Sequence, residues 1–316
     1  MISLREIDAA RERILGIAMR TPLLRLPGSD LPAEIWLKLE NLQPTGSFKI
    51  RGAANAIRSA GRTAISRGIL TCSTGNMAQA VAWMARAEGV PATVVVPDHV
   101  PSNKVEAVER LGGRVVKVSH DRWWQTLEER CFAGIEGHFV HPVMDDAVMA
   151  GNGTIGRELV QELEAIDCVL VPWGGGGLTT GVASALRQLS PTTRVITVEP
   201  ETAAPMTAAF AAGRPVDIEY RPSFVEGAGG RALLMPMWEG AHPLIADACA
   251  ITLEQTAAAI QMLAERVRVI AEGAGALALA AALAGRGGGG RVVCIVSGGN
   301  IGNDRLASLL LGKIPT

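Results

Sequence analysis

Six runs of the chain are rich in apolar and β-branched residues: ILTC (69–72), ATVVVP (92–97), RVVKV (114–118), CVLVP (168–172), RVITVE (194–199) and RVVCIVS (291–297). They show little alternation with polar side chains, so both faces of each strand are expected to be covered, as in a parallel sheet between helices. Between these runs, apolar positions recur at helical spacing over roughly 76–88, 102–111, 154–164, 178–189, 254–267 and 274–284. Strand and helix alternate, and the predicted fold class is α/β. The elements fall into two blocks. Residues 54–142 form a small one holding the first three strands. Residues 143–316, joined by the N-terminal 1–53, form a large one. HPVMDDAVMAGNG (141–153) reads as a segment crossing between them, and RGGGG (286–290) as a loose turn before the last strand.

Composition adds exclusions. With 316 residues, 48% of them apolar and 19% charged, the chain can bury a sizeable core. A net charge of −1 without long single-sign runs gives no electrostatic footprint for nucleic acid or a membrane surface. Cys72, Cys131, Cys168, Cys249 and Cys294 form no CxxC pair, and an odd, scattered set predicts reduced, structural thiols in a cytoplasmic protein. The charged, amphipathic N-terminus SLREIDAARERILG is unlike a signal peptide. No apolar stretch reaches the ~18 residues of a membrane span.

Four stretches can carry chemistry. In QPTGSFKIRG (43–52), Lys49 stands between Phe48 and Ile50, with Gly46 for a turn and Ser47 as a candidate N-cap. It is either a solvated lysine at a helix start or a desolvated amine with lowered pKa, suited to a Schiff base. VPWGGGGLTTGVASAL (171–186) places four glycines between a buried strand and a helix expected near Leu178. Backbone amides there can converge on a phosphate, although the Lys-Ser/Thr of a nucleotide P-loop is missing. TCSTGNMAQA (71–80) brings Ser73, Thr74 and Asn76 to a helix N-terminus, which suits a carboxylate or a plain cap. VCIVSGGN (293–300) leaves Ser297 at the C-terminal edge of a strand, where ligands of open α/β sheets sit. GNGTIG (151–156) matches GxGxxG in letters, but no strand precedes it, so no nicotinamide site is expected.

QPTGSFKIRGA, STGNMAQAVA, AGNGTIGRE, GGGGL and SGGN occur in one order, over nearly the whole chain from RTPLL (20–24). The series resembles the serine/threonine dehydratase and serine racemase family of fold-type II pyridoxal phosphate enzymes. The resemblance implies a tryptophan synthase β-like fold of two open, parallel-rich sheets flanked by helices, and a homodimer. It implies pyridoxal 5'-phosphate held on Lys49 as an internal aldimine, with Phe48 beside the ring, Asn76 on the ring hydroxyl and Ser297 facing the pyridine nitrogen. Gly174, Gly175, Gly176 and Gly177 match the phosphate loop, and Ser73, Thr74, Asn76 and Met77 match the loop that grips the substrate carboxylate. The implied activity is dehydration and deamination of an L-3-hydroxy amino acid, with racemisation as the alternative. Lys49 would remove the Cα proton. Ser297 would leave the ring nitrogen neutral, which favours prompt loss of the hydroxyl. Ile50-Arg51-Gly52 follows the lysine, where cysteine and threonine synthases usually place Asp. The chain stops at Thr316, so feedback by isoleucine through a C-terminal regulatory domain is not expected.

The sequence departs from the family pattern. Met77 replaces the usual His, and Thr74 stands where racemases carry Ser and many threonine dehydratases carry Ala. A Thr hydroxyl can still donate a proton on the opposite face, though its methyl crowds that face. Glu199 matches one carboxylate of a divalent-cation site, but the second falls near Pro205, so no metal is expected. Trp123 and Trp124 lie where the family keeps residues near the substrate. They read either as small-domain core or, with Met77, as a roomy apolar pocket for a bulky substrate such as 3-phenylserine.

Overall fold

The structure, a computed structural model, describes residues 1–315. Its strands in chain order are β1 (Leu23–Arg25), β2 (Glu34–Lys38), β3 (Ile69–Cys72), β4 (Ala92–Pro97), β5 (Gly113–Val118), β6 (His138–Phe139), β7 (Cys168–Pro172), β8 (Arg194–Pro200), β9 (Asp247–Ile251) and β10 (Arg291–Ile295). The helices are α1 (Leu4–Arg13), α2 (Lys49–Ile65), α3 (Asn76–Glu88), α4 (Ser102–Arg110), α5 (His120–Glu129), α6 (Asp146–Glu162), α7 (Gly177–Leu189), α8 (Pro205–Ala212), α9 (Met235–Ala241), α10 (Leu253–Met262), α11 (Gly273–Leu283) and α12 (Asn303–Leu310).

Two open sheets result. One has six strands in the order β1-β2-β10-β7-β8-β9, all parallel except the antiparallel β1–β2 edge. The other has four parallel strands in the order β5-β4-β3-β6. All six expected strands are present. β7 and β4 are buried at every position, as their unbroken apolar runs require. The all-apolar α11, GAGALALAAAL, is buried along its first ten residues and packs against β7, β8 and β10. The resulting core joins Leu37, Leu170, Leu277 and Cys294. Truncating such a residue, as in Leu170→Ala, costs about 2–5 kcal/mol.

Several expectations need correction. β1, β2, β6 and β9 lie outside the six expected runs, and with β6, only two residues long, the 54–142 block holds four strands instead of three. β2 ends on Lys38, which is fully buried because its ammonium meets Glu158 at 2.7 Å, Glu162 at 3.2 Å and the Thr21 carbonyl at 2.8 Å. β9, DACAI, is short and made of small residues. The crossing segment is shorter than 141–153: Asp145 caps α6 through the N–H groups of Ala147 and Val148, and the helix starts at Asp146. GNGTIG therefore lies inside α6, where it permits close helix packing. A Cβ on Gly151 would overlap the Arg51 carbonyl, and one on Gly156 would fall 2.9 Å from Ala185. Ser47 does not cap α2; the N-cap is Phe48, without a side-chain bond, and Ser47 pairs instead with Gly298 in a β-bridge.

Candidate active site

Lys49 opens α2, and the preceding residues are docked onto the far end of the chain. The Phe48 N–H donates to the Ser297 carbonyl (3.0 Å), and the Gly299 N–H donates to the Gly46 carbonyl (2.9 Å). Gly46 takes a positive φ of 69°, and a Cβ there would overlap Asn300, so the turn needs glycine. These bonds bring the lysine and serine motifs together at the C-terminal edge of β10. The Lys49 ammonium lies 5.1 Å from the Phe48 ring centroid and donates to the Pro142 carbonyl at 3.1 Å. Burial pulls its amine down to about 8, while the nearby Glu272 carboxylate pulls the other way. Lys49 is half-buried as a residue with its amine turned onto the Pro142 carbonyl, a setting that fits the desolvated reading of this lysine better than the solvated one.

The glycine loop follows β7 and leads into α7 at Gly177. Gly176 adopts φ 94°, and a Cβ on it would fall 2.5 Å from the Trp173 ring. A Cβ on Gly175 would overlap Val143, and one on Gly174 would fall 2.7 Å from the Gly227 carbonyl. Val143 adjoins Pro142, so the loop and the Lys49 amine share one supporting turn. Thr180 N–H makes the bond to Gly176 (2.8 Å), which leaves the N–H groups before it free of intrahelical acceptors.

Asn76 begins α3 beyond the Thr74–Gly75 bend. Its Nδ2 donates to Glu272 (2.7 Å), and its Oδ1 accepts from Asn300 Nδ2 (2.8 Å). Glu272 is raised to about 7, chiefly by burial, with the Asn76 hydrogen bond opposing. Ser73 and Thr74 are half-buried and line a narrow crevice with Val96, Val100 and Lys104. Ser297 is buried at the strand end.

The remaining expected residues lie elsewhere. Met77 is 1% exposed and belongs to the core around Ile50, Val81 and Val148. Trp123 packs with Leu70, Cys72 and Val95 beneath the small sheet, its Nε1 buried without a partner. Trp124 is 38% exposed on the outer face of α5 and donates to Glu128 at 2.8 Å. The structure therefore joins neither Trp124 nor Met77 to Lys49 in an open pocket, because adjacent residues on α5 point to different sides and Met77 turns into the core. Glu199 is fully buried and accepts from the N–H groups of Met206 (3.0 Å) and Thr207 (2.8 Å) and the Thr207 hydroxyl (2.8 Å), so it caps α8; burial raises it to about 7. Among the described residues no group of three or more His, Cys, Asp and Glu is placed to hold a metal. Likewise, no helix is long and apolar enough to cross a membrane.

Two residues of the site escaped the sequence reading. Glu272 stands 196 positions from Asn76, and its role exists only through that contact. His141 opens HPVMDDAVMAGNG, a stretch whose sequence suggests only a crossing segment.

Comparison with known proteins supplies the family. A model described as pyridoxal-phosphate dependent enzyme matches residues 14–298. The chain belongs to the pyridoxal-phosphate dependent enzyme family. It is 37% identical over 307 residues to the L-threonine ammonia-lyase of Thermotoga maritima, covering 95% of this chain and 76% of that protein. It is 34% identical over 319 residues to the catabolic L-threonine dehydratase of Staphylococcus aureus, covering 98% and 92%. Among solved structures, maize serine racemase superposes with a TM-score of 0.88 at 29% identity, covering 98% of this chain and 97% of the other. The family member described here is a threonine/serine dehydratase-like enzyme, of the carbon–oxygen lyase kind, and its cofactor is pyridoxal phosphate.

The residues present fit that cofactor. The glycine loop leaves a cradle without Cβ atoms, and the first turn of α7 behind it carries the buried, unpartnered hydroxyls of Thr179 and Thr180. Asn152, which donates to the Gly177 carbonyl, keeps its Oδ1 unpartnered. Backbone N–H groups, hydroxyls and a helix N-terminus together form a donor set for a phosphate.

Proposed function

We propose that this enzyme converts an L-3-hydroxy amino acid of the serine/threonine type to a 2-keto acid and ammonia, with Lys49 as both cofactor lysine and general base. The observation that supports this most is the Lys49 amine. It is lowered to about 8 and held beside the glycine loop and Ser297 by one turn and one strand end. An amine near 8 is roughly one-fifth neutral at pH 7.4, against roughly a thousandth at its ordinary value of 10.5, so the fraction able to act as a base rises by about two orders of magnitude.

Each residue then has a task. The N–H groups of the glycine loop, Gly174 to Gly177, bind phosphate. Asn76 orients the ring oxygen, its amide held in one direction by Glu272 and Asn300. Ser297 offers a hydroxyl, which as a neutral group leaves a ring nitrogen unprotonated. Phe48 flanks the ring. The Ser73–Met77 turn binds the substrate carboxylate through hydroxyls and the first N–H groups of α3. Bound pyridoxal phosphate supplies the sink for charge left at Cα. Lys49 Nζ takes the Cα proton, the C3–O bond breaks, and the hydroxyl leaves as water with a proton delivered from the same face. The released enamine tautomerises and is hydrolysed to keto acid and ammonia. The cleft between a large unit, 1–53 with 143–316, and a small unit, 54–142, is part of the same proposal.

Racemisation is the second reading. It is supported by the likeness to maize serine racemase and by the half-buried Thr74, whose hydroxyl can serve the face opposite Lys49.

The test is a panel of L-serine, L-threonine, 3-hydroxyaspartate and 3-phenylserine given to the cofactor-loaded enzyme, with keto acid, ammonia and substrate chirality measured. Keto acid and ammonia from serine or threonine are expected. Preference for 3-phenylserine would assign the Trp123–Trp124 region to the substrate despite the outward Trp124. D-serine appearing without keto acid would replace the lyase reading with the racemase.

A further inference from the structure

His141 is 1% exposed and immediately precedes Pro142, whose carbonyl accepts from Lys49. Its Nδ1 accepts two backbone hydrogen bonds, from Val143 (3.0 Å) and Met144 (2.7 Å). An acceptor nitrogen carries no proton, so the ring is neutral with its hydrogen on Nε2. Burial first, then the charges of Arg130 and Lys49, lower the imidazole to about 4, consistent with a ring that stays neutral. The two amides it gathers belong to the turn that carries the site. Within that turn Pro142 offers the carbonyl to Lys49, and Val143 fills the space beneath Gly175 and Gly177. Upstream, Val140 is tied to the strand that delivers Ser73: its N–H donates to Leu70 (2.8 Å), and its carbonyl accepts from the Thr71 hydroxyl (2.8 Å). Downstream, Met144 accepts from Arg130 (2.7 Å), and Asp145 caps α6.

We propose that His141 is a positioning residue: its unprotonated Nδ1 folds the 142–144 turn, and that turn fixes both the Lys49 amine and the back of the phosphate-binding glycine loop. Three observations carry this. Among the described residues, no other side chain bonds the N–H groups of Val143 and Met144. The same three-residue turn touches both halves of the cofactor site. The imidazole lies in the core although its Nε2–H is buried with no partner among the described residues, a cost that a residue serving only to fill space would not require. The inference rests on Lys49 being the cofactor lysine, but not on whether elimination or racemisation follows, since no readout below uses turnover.

The test compares the wild type with His141→Leu, which keeps bulk but removes the acceptor, and His141→Asn, whose Oδ1 can stand in for Nδ1. Cofactor affinity is titrated on the apoprotein, and the rate of cofactor bonding to Lys49 is followed against pH by visible absorbance. His141→Leu is expected to weaken affinity about 10- to 100-fold, the loss associated with one or two buried hydrogen bonds. Its pH midpoint for bonding should move up from about 8 toward 10.5 as water reaches the freed amine. His141→Asn should restore both. Wild-type affinity and midpoint in His141→Leu would overturn the proposal, as would equal losses in the two variants. Should the leucine variant not fold, imidazole nitrogen chemical shifts of the wild type decide: a neutral Nε2–H tautomer that shifts on cofactor loading is expected, and an Nδ1–H tautomer overturns it. Lys49→Ala, which should bind cofactor without the lysine-bound absorbance, tests the Lys49 assignment separately.

Discussion

At Lys49 two effects oppose each other. Burial disfavours the ammonium, and the Glu272 carboxylate favours it; burial wins, leaving the amine at about 8. Glu272 itself titrates near 7, so above that pH it carries its charge. Replacing it by Gln removes the favourable charge and should move the pH midpoint for cofactor bonding to Lys49 below the wild-type value. Stopped-flow recombination of apoprotein with cofactor checks this, and an unmoved or raised midpoint would contradict the stated balance. Lys49, the four glycines and Ser297 were legible in the sequence because each motif is local: a turn, a loop or a strand end. Glu272 and His141 were not, because neither has a local signature. One acts across 196 positions, and the other acts through backbone amides, which have no letter in the sequence.

Among the elements, α2 is held at its first turn by a buried charge cluster. Arg51, two residues after Lys49, donates to Glu40 through Nε and Nη2 (2.8 Å each) and to Glu158 through Nη1 (2.6 Å) and Nη2 (2.9 Å). Burial alone would raise Glu40, but the Arg51 charge and hydrogen bonds outweigh it and leave the carboxyl lowered. With Lys38 on Glu158 and Glu162, and Arg20 on Glu162, the cluster sets Arg20, Lys38 and Arg51 against Glu40, Glu158 and Glu162 and ties α2 to α6 and to the segment after β2. Removing one partner from such a cluster leaves a buried charge uncompensated. Arg51→Met is therefore expected to lose about 3–5 kcal/mol of stability in denaturant unfolding, whereas an exposed change such as Arg67→Ala, whose pair with Glu136 is open to water, should lose less than about 1 kcal/mol. The same cluster explains why β2 was hidden: Lys38 looks like a surface residue until its partners arrive from α6. A second prediction concerns the glycine loop. A methyl on Gly175 would overlap Val143, so Gly175→Ala should weaken cofactor binding, and Val143→Ala in the same chain should recover part of it. Additive losses in the double variant would refute that contact.

At the scale of the whole molecule, the class of fold was readable but the sheet order was not. β10, the last strand, inserts between β2 and β7, and this insertion carries Ser297 to Lys49. Alternating strands and helices announce parallel sheets; they contain nothing that states which strands are neighbours. Among the described residues, one ion pair crosses from one sheet's layer to the other's: Lys104 on α4 meets Glu226 at 2.7 Å, and Glu226 also meets Arg305 on α12 at 2.7 Å. These groups are partly exposed, so Glu226→Gln should change overall stability little. It should nonetheless speed amide exchange in the Ser73–Met77 turn, beside which Lys104 sits. Unchanged exchange there would show that the pair does not hold the two layers together. The most direct measurement remains chemical: 2-keto acid and ammonia released from L-threonine by the purified, cofactor-loaded enzyme, beside Lys49→Ala under the same conditions. Equal amounts of both products are expected from the wild type and none from the variant. Turnover surviving in Lys49→Ala, or a cofactor-loaded wild type that releases neither product from any 3-hydroxy amino acid of the panel, would contradict that expectation.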